Sequence, residues 1–235
     1  MIEIIAFDAD DTLWENESLY HRGKSELAQI LSPYRETDWV NRKLDEIEVS
    51  NLQVYGYGIK SFTLSMIETA AKAVDRKIEA HTISAILEIA KKMLSAEVEL
   101  LDHTEQALVQ LSSDYDLMLV TKGDLFEQQR KISRSGIDHF FRVIEIVAEK
   151  TPARYLDILK KHHIEVERFL MVGNSLRSDI LPIVAIGGRA VYIPNENTWF
   201  HEVPEQEDIE GVEYDELEHL GQLPEYMAAL ERALG

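Results

Sequence analysis

Five short apolar runs, each stopped abruptly by turn-forming or charged residues, constrain this chain more than any other feature. The first is Ile2-Glu3-Ile4-Ile5-Ala6-Phe7, which ends in Asp8-Ala9-Asp10-Asp11-Thr12. Leu117–Val120, Val143–Val147, Phe169–Val172 and Arg189–Ile193 follow the same pattern. Nearly continuous apolar runs of this length, bounded by turn signals, are the mark of strands buried on both faces of a parallel sheet. Helical patterns lie between the later ones, at Thr104–Leu111, Leu125–Ser133, Pro152–Lys161 and Ser178–Ile186. Strands alternating with helices predict an α/β fold: a Rossmann-like parallel sheet with helices on both faces.

The stretch from about Ser18 to Ser95 breaks that alternation. Its apolar residues recur at helical spacing, as in Leu27, Ile30 and Leu31, or Ile83, Ile86, Leu87 and Ala90. Helices are expected over Glu17–Leu31, Thr37–Leu52, Gly58–Val74 and His81–Leu94, with a turn at Tyr55-Gly56-Tyr57-Gly58. The reading is therefore an all-helical insert after the first strand: residues 16–95, against a Rossmann-like core of 1–15 and 96–235. The acidic tail after Asn195 is expected as solvated surface leading to a last helix near Glu225–Leu234.

Charge and composition narrow the function. Acidic residues number 43 against 24 basic ones, a net charge of -19. Such a surface repels nucleic-acid backbones and anionic membranes, so neither is expected as a partner. Any phosphate chemistry must then find its cations locally. Cysteine is absent, which removes disulfides, thiolate nucleophiles and thiolate metal sites. No apolar run approaches the roughly 20 residues that cross a bilayer, and the first segment lacks a basic leader, so a cytoplasmic location is expected.

In an open parallel sheet, ligands bind beyond the carboxyl ends of the strands. The residues found there are Asp8, Asp10 and Thr12 after the first run, and Thr121, Lys122 and Gly123 after the second. Glu149 and Lys150 follow the third, and Gly173, Asn174, Ser175 and Asp179 the fourth. Taken singly, most have an ordinary explanation: turn chemistry for Asn174, a solvated surface for Lys150, a helix-start acid for Asp179. Jointly, at four successive strand ends, they form an inventory for holding a metal and a phosphate.

These residues carry a resemblance. Phe7-Asp8-Ala9-Asp10-Asp11-Thr12-Leu13 resembles the first motif of the haloacid dehalogenase superfamily, hydrophobic-Asp-x-Asp-x-Thr. Leu119-Val120-Thr121 resembles its second motif and Lys150-Thr151-Pro152 its third. Gly173-Asn174-Ser175-Leu176-Arg177-Ser178-Asp179 resembles its fourth. The resemblance implies a Rossmann-like core with an alpha-helical cap, Asp8 as nucleophile, and Asp10 as general acid and then base. It implies Mg²⁺ held by Asp8, Asp179, the backbone carbonyl of Asp10 and Asn174. Thr121, the N–H groups of Lys122 and Gly123, and Lys150 are the implied phosphate ligands. Asn174 departs from the pattern, since many relatives carry aspartate there; so does Lys122, where asparagine is common.

The chemistry agrees with those roles. A carboxylate that attacks phosphorus divides hydrolysis into two easier steps. Mg²⁺ takes oxygen ligands and commonly needs only one or two carboxylates. The expectation is a Mg²⁺-dependent phosphatase acting on a small phosphorylated metabolite. A phosphosugar mutase would use the same core residues. A haloacid dehalogenase needs no leaving-group acid, which Asp10 counts against. A catalytically idle binding or regulatory protein would have no use for the full set.

Overall fold

The computed structural model describes residues 1–74 and 77–234. The chain divides into two compact units, one of Met1–Glu17 with Val98–Gly235, the other of Ser18–Glu97.

The first unit is built on a sheet of β1 (Ile4–Phe7), β2 (Asp116–Lys122), β3 (Phe141–Val147), β4 (Phe169–Gly173), β5 (Arg189–Tyr192) and β6 (Asp215–Glu216). Every neighbouring pair is parallel, in the order β3-β2-β1-β4-β5-β6. Successive side chains of a strand face opposite ways. Ile5, Phe7, Leu117, Leu119, Leu170 and Val172 therefore enter one apolar core, while Ala6, Met118, Val120, Phe169 and Met171 enter another. Both faces are covered, which is why these strands read as continuous apolar runs.

The helices, in chain order, are α1 (Glu17–Leu31), α2 (Thr37–Tyr55), α3 (Ile59–Ala73), α4 (Ala80–Ser95), α5 (Thr104–Leu111), α6 (Leu125–Ser135), α7 (Pro152–His162), α8 (Leu181–Val184), α9 (Gln206–Ile209) and α10 (Leu223–Leu234). α5, α6 and α10 supply Leu108, Ile132 and Met227 to the first core. α7 and α8 supply Tyr155, Leu159 and Ile183 to the second.

The second unit is all-helical. Leu27, Leu31, Leu44, Phe62, Met66, Ile86 and Ile89 form its core, and Tyr20 meets Phe62 edge-on at 5.0 Å between ring centroids. Gly56 and Gly58, at φ 71° and 111°, make the turn between α2 and α3 in backbone that side chains resist.

Two elements depart from expectation. The acidic tail contributes β6, whose Asp215 and Glu216 pair with Val191 and Tyr192. A two-residue edge strand held through its backbone leaves no apolar pattern to detect. The expected helix over Ser178–Ile186 is instead a π-turn, Leu176–Ile180, followed by the short α8. Pro182 has no N–H to offer the Ser178 carbonyl, and the Tyr155 hydroxyl donates to that oxygen instead, at 3.1 Å.

Candidate active site

The strand order puts β1 and β4 side by side, with β2 and β5 outside them. Connections leave this central pair in opposite directions, which opens a crevice beyond their carboxyl ends. Asp8 follows β1 directly, and its carboxylate is almost completely buried. Lys150, in the turn before α7, reaches into the same place: its Nζ lies 2.5 Å from Asp8 Oδ1 and 2.6 Å from Asp179 Oδ1. Thr12 Oγ1 stands 3.3 Å from Asp8 Oδ2 and 3.1 Å from Asn174 Oδ1, and accepts from the Asn174 N–H at 3.0 Å. Asp8, Asp179, Lys150 and Asn174 thus form one connected cluster.

Asp179 can sit there because of a glycine. A Cβ on Gly173 would lie 2.2 Å from Asp179 Oδ2, so the carboxylate folds back onto the strand end only where no side chain stands. The Ser175 N–H donates to that same oxygen at 3.0 Å.

The charges do not cancel. Two buried carboxylates share a single ammonium, so the trio is net negative when both carboxyls are ionised. Burial raises Asp8 to about 7 against the pull of Lys150, with the charge of Asp179 adding to the rise. Burial raises Asp179 as well, again opposed by Lys150. For Lys150 burial works against the ammonium, but Asp179 and Asp8 outweigh it and hold its pKa well above that of an ordinary lysine. An all-oxygen donor set with excess negative charge suits a hard divalent cation such as Mg²⁺. Among the described residues no three His, Cys, Asp or Glu side chains converge as a cage. Asp8 and Asp179 are the carboxylates that would hold such an ion.

Asp10 occupies a setting of its own. Trp14 Nε1 donates to Oδ1 at 2.7 Å, Gln128 Nε2 to Oδ2 at 3.1 Å, and Lys131 Nζ lies 2.6 Å from both oxygens. Gln128 also donates to Thr121 Oγ1 at 2.6 Å. Asp11, in left-handed backbone at φ 61°, turns its carboxylate to the N–H groups of Asn16 and Glu17 at 2.9 and 3.0 Å. It caps the start of α1, and burial raises it to about 6.

One of the expected phosphate contacts, the Gly123 N–H, is engaged within the sheet, and the Lys122 side chain has partners of its own. The Gly123 N–H donates to the Val147 carbonyl at 3.1 Å and so belongs to the sheet. The Lys122 ammonium lies 2.5 Å from Glu202 Oε1 and 3.0 Å from Ser178 Oγ. Glu202 also accepts from Ser175 Oγ at 2.6 Å and Ser178 Oγ at 2.5 Å. Burial opposes its charge, but Lys122 and the two hydroxyls prevail and lower it to about 2. Lys122 thus braces the loop that carries Asp179. Glu202 lies in the acidic tail, where no pattern marks it, and Gln128 and Lys131 read from sequence as ordinary polar helix positions.

A parallel sheet with this strand order, and a lysine shared by aspartates at its carboxyl edge, defines a class of α/β hydrolases, and comparison with known proteins identifies which. A family model for haloacid dehalogenase-like hydrolases matches residues 2–187, and the chain belongs to that family. A haloacid dehalogenase-like hydrolase from Xanthomonas campestris is 38% identical over 99% of this chain and 93% of its own, with a TM-score of 0.86. A 2-haloacid dehalogenase from Pseudomonas syringae shares the fold at 19% identity and a TM-score of 0.64, covering 98% of this chain and 100% of its own. A glyceraldehyde 3-phosphate phosphatase from Methanothermobacter thermautotrophicus is 29% identical over 133 residues, 53% of this chain. The match spans 57% of that curated relative. Among the described residues no helix is long and apolar enough to cross a membrane.

Proposed function

We propose that this hydrolase is a cytoplasmic, Mg²⁺-dependent phosphomonoesterase acting on a small phosphorylated metabolite through an aspartyl-phosphate on Asp8. The observation that carries the reading is the setting of Asp10, a carboxylate two residues from the nucleophile and held by Trp14, Gln128 and Lys131. A halide leaves without a proton, so dehalogenation has no use for such a group. An alkoxide needs one. The partial likeness to a glyceraldehyde 3-phosphate phosphatase supports the same choice.

Asp8 attacks the phosphorus, the bond to the leaving oxygen breaks, and Asp10 protonates that oxygen. Water then attacks the phosphorus and gives its proton to Asp10, and the bond to Asp8 breaks. Lys150 keeps Asp8 aimed and offsets charge on the transferring group, and the Thr121 hydroxyl donates to one of its oxygens. Mg²⁺, which Asp8, Asp179, the backbone carbonyl of Asp10 and Asn174 would hold, would add charge neutralisation and fix the phosphate's orientation. Release of inorganic phosphate from a metabolite panel, with Mg²⁺ and with EDTA, tests the proposal alongside chloride release from 2-chloropropionate. Mg²⁺-dependent phosphate release supports it; chloride release without phosphate release overturns it.

A further inference from the structure

Asp10 is gripped from two other places in the fold. α6 carries Gln128 and Lys131 three residues apart, a spacing that puts both on one face of the helix. Lys131 Nζ meets both Asp10 oxygens at 2.6 Å and the Asn16 side-chain oxygen at 3.1 Å. The supports are tied into the fold. Trp14 is fully buried, Ile132 anchors α6 in the core beside it, and the Asp124 carboxylate caps the helix by accepting from the Glu127 N–H at 3.0 Å.

We infer that Lys131 is the positioning residue for Asp10, fixing both carboxylate oxygens and offsetting the charge that appears when the proton leaves. The inference rests on the reading of Asp10 as proton donor and acceptor. When Asp8 attacks, the electron pair of the broken bond departs with the leaving oxygen, and that oxygen takes the proton of Asp10. A carboxylate remains. Gln128 and Trp14 can orient it, but both are neutral; Lys131 alone of the three supplies a compensating charge. In the second step the same contact presents the carboxylate to water already aimed. As a mere ion pair it would count for little, since both side chains are about a fifth exposed and partly exposed pairs add little to stability.

The test compares Lys131→Met, Lys131→Gln, Lys131→Arg and Asp10→Asn with wild type in saturating Mg²⁺. The readout is kcat/KM, which reports steps through phosphorylation of Asp8. One probe is glycerol 2-phosphate, whose alkoxide must be protonated. The other is p-nitrophenyl phosphate, whose phenolate leaves as a stable anion. Lys131→Met and Lys131→Gln should lose about 30-fold on the first probe and less than about 3-fold on the second, with Lys131→Arg recovering most of the loss. Their Tm should fall by no more than about 3 °C. Equal losses on both probes mark a structural role, and no loss on either marks an idle ion pair; each overturns the inference. Loss in Asp10→Asn beside unaffected Lys131 variants sinks the inference alone. Wild-type kcat/KM in Asp10→Asn on glycerol 2-phosphate, or an inert wild type, removes the acid/base reading and the inference with it.

Discussion

Asp8, Asp179 and Asn174 sit within one hydrogen-bonded cluster yet should tolerate replacement very differently. Asp8→Asn removes the proposed nucleophile, so turnover should vanish, and mass spectrometry after exposure to a phosphoryl donor should find any adduct on Asp8 of the wild type. Asp179 bears a charge and Asn174 does not, so Asp179→Ala loses Coulomb attraction as well as a ligand. Mg²⁺ titrations of activity should show a far larger increase in metal requirement for Asp179→Ala than for Asn174→Ala, and a reversed ranking would contradict the assignment. Gly173 belongs to the same argument. A methyl group there must displace the Asp179 carboxylate, since the two would stand 2.2 Å apart. Gly173→Ala should therefore cost about 1–3 kcal/mol by overpacking and raise the Mg²⁺ requirement along with it.

The helices of the second unit hold a buried charge cluster that should tie their stability to pH. Glu48 on α2 is buried, and burial raises it to about 7 even though Lys24 on α1 lies 3.5 Å away; Asp45 adds to the rise, and Lys24 also bonds Asp45 at 2.8 Å. A carboxyl whose folded pKa is raised binds its proton more tightly when folded than unfolded. Its penalty is absent below the unfolded value of 4.5, grows as pH rises, and is complete above about 7. Glu48→Gln has no proton to lose. Relative to that variant, the wild type should lose on the order of 2–3 kcal/mol of unfolding free energy between those limits. Denaturant unfolding of both proteins at pH 4.5 and pH 7.5 reads the difference directly, and parallel pH profiles would rule the effect out.

For the molecule as a whole, charge and burial together favour the small substrate proposed above. A net charge of -19 repels polyanions at long range, while Asp8 and Lys150 are buried, at 8% and 5% exposure. A small monoester carries little charge to repel and can reach a buried carboxylate; a strand of nucleic acid meets both obstacles. Rates on sugar phosphates and small phosphorylated acids should exceed those on phosphopeptides and 5′-phosphorylated oligonucleotides. More efficient cleavage of the polymers than of every metabolite would contradict the argument.

The sequence by itself determined the α/β class, most helix boundaries and the strand-end cluster of Asp8, Thr121, Lys150 and Asp179. Burial on both faces forces apolar runs, and a residue that follows a strand is carried to the sheet edge whatever its distant neighbours are. The partners of those residues were decided elsewhere. Lys131 is separated from Asp10 by 121 residues and Glu202 from Lys122 by 80, and neither α6 nor the acidic tail advertises what it will face. The Ser178 carbonyl within the π-turn at Leu176–Ile180 finds its partner in the distant Tyr155 hydroxyl, and β6 depends on a neighbour with a free edge. Local pattern records what a residue must be buried against. Only tertiary structure, by closing loops across the sheet, chooses which charged group stands opposite another.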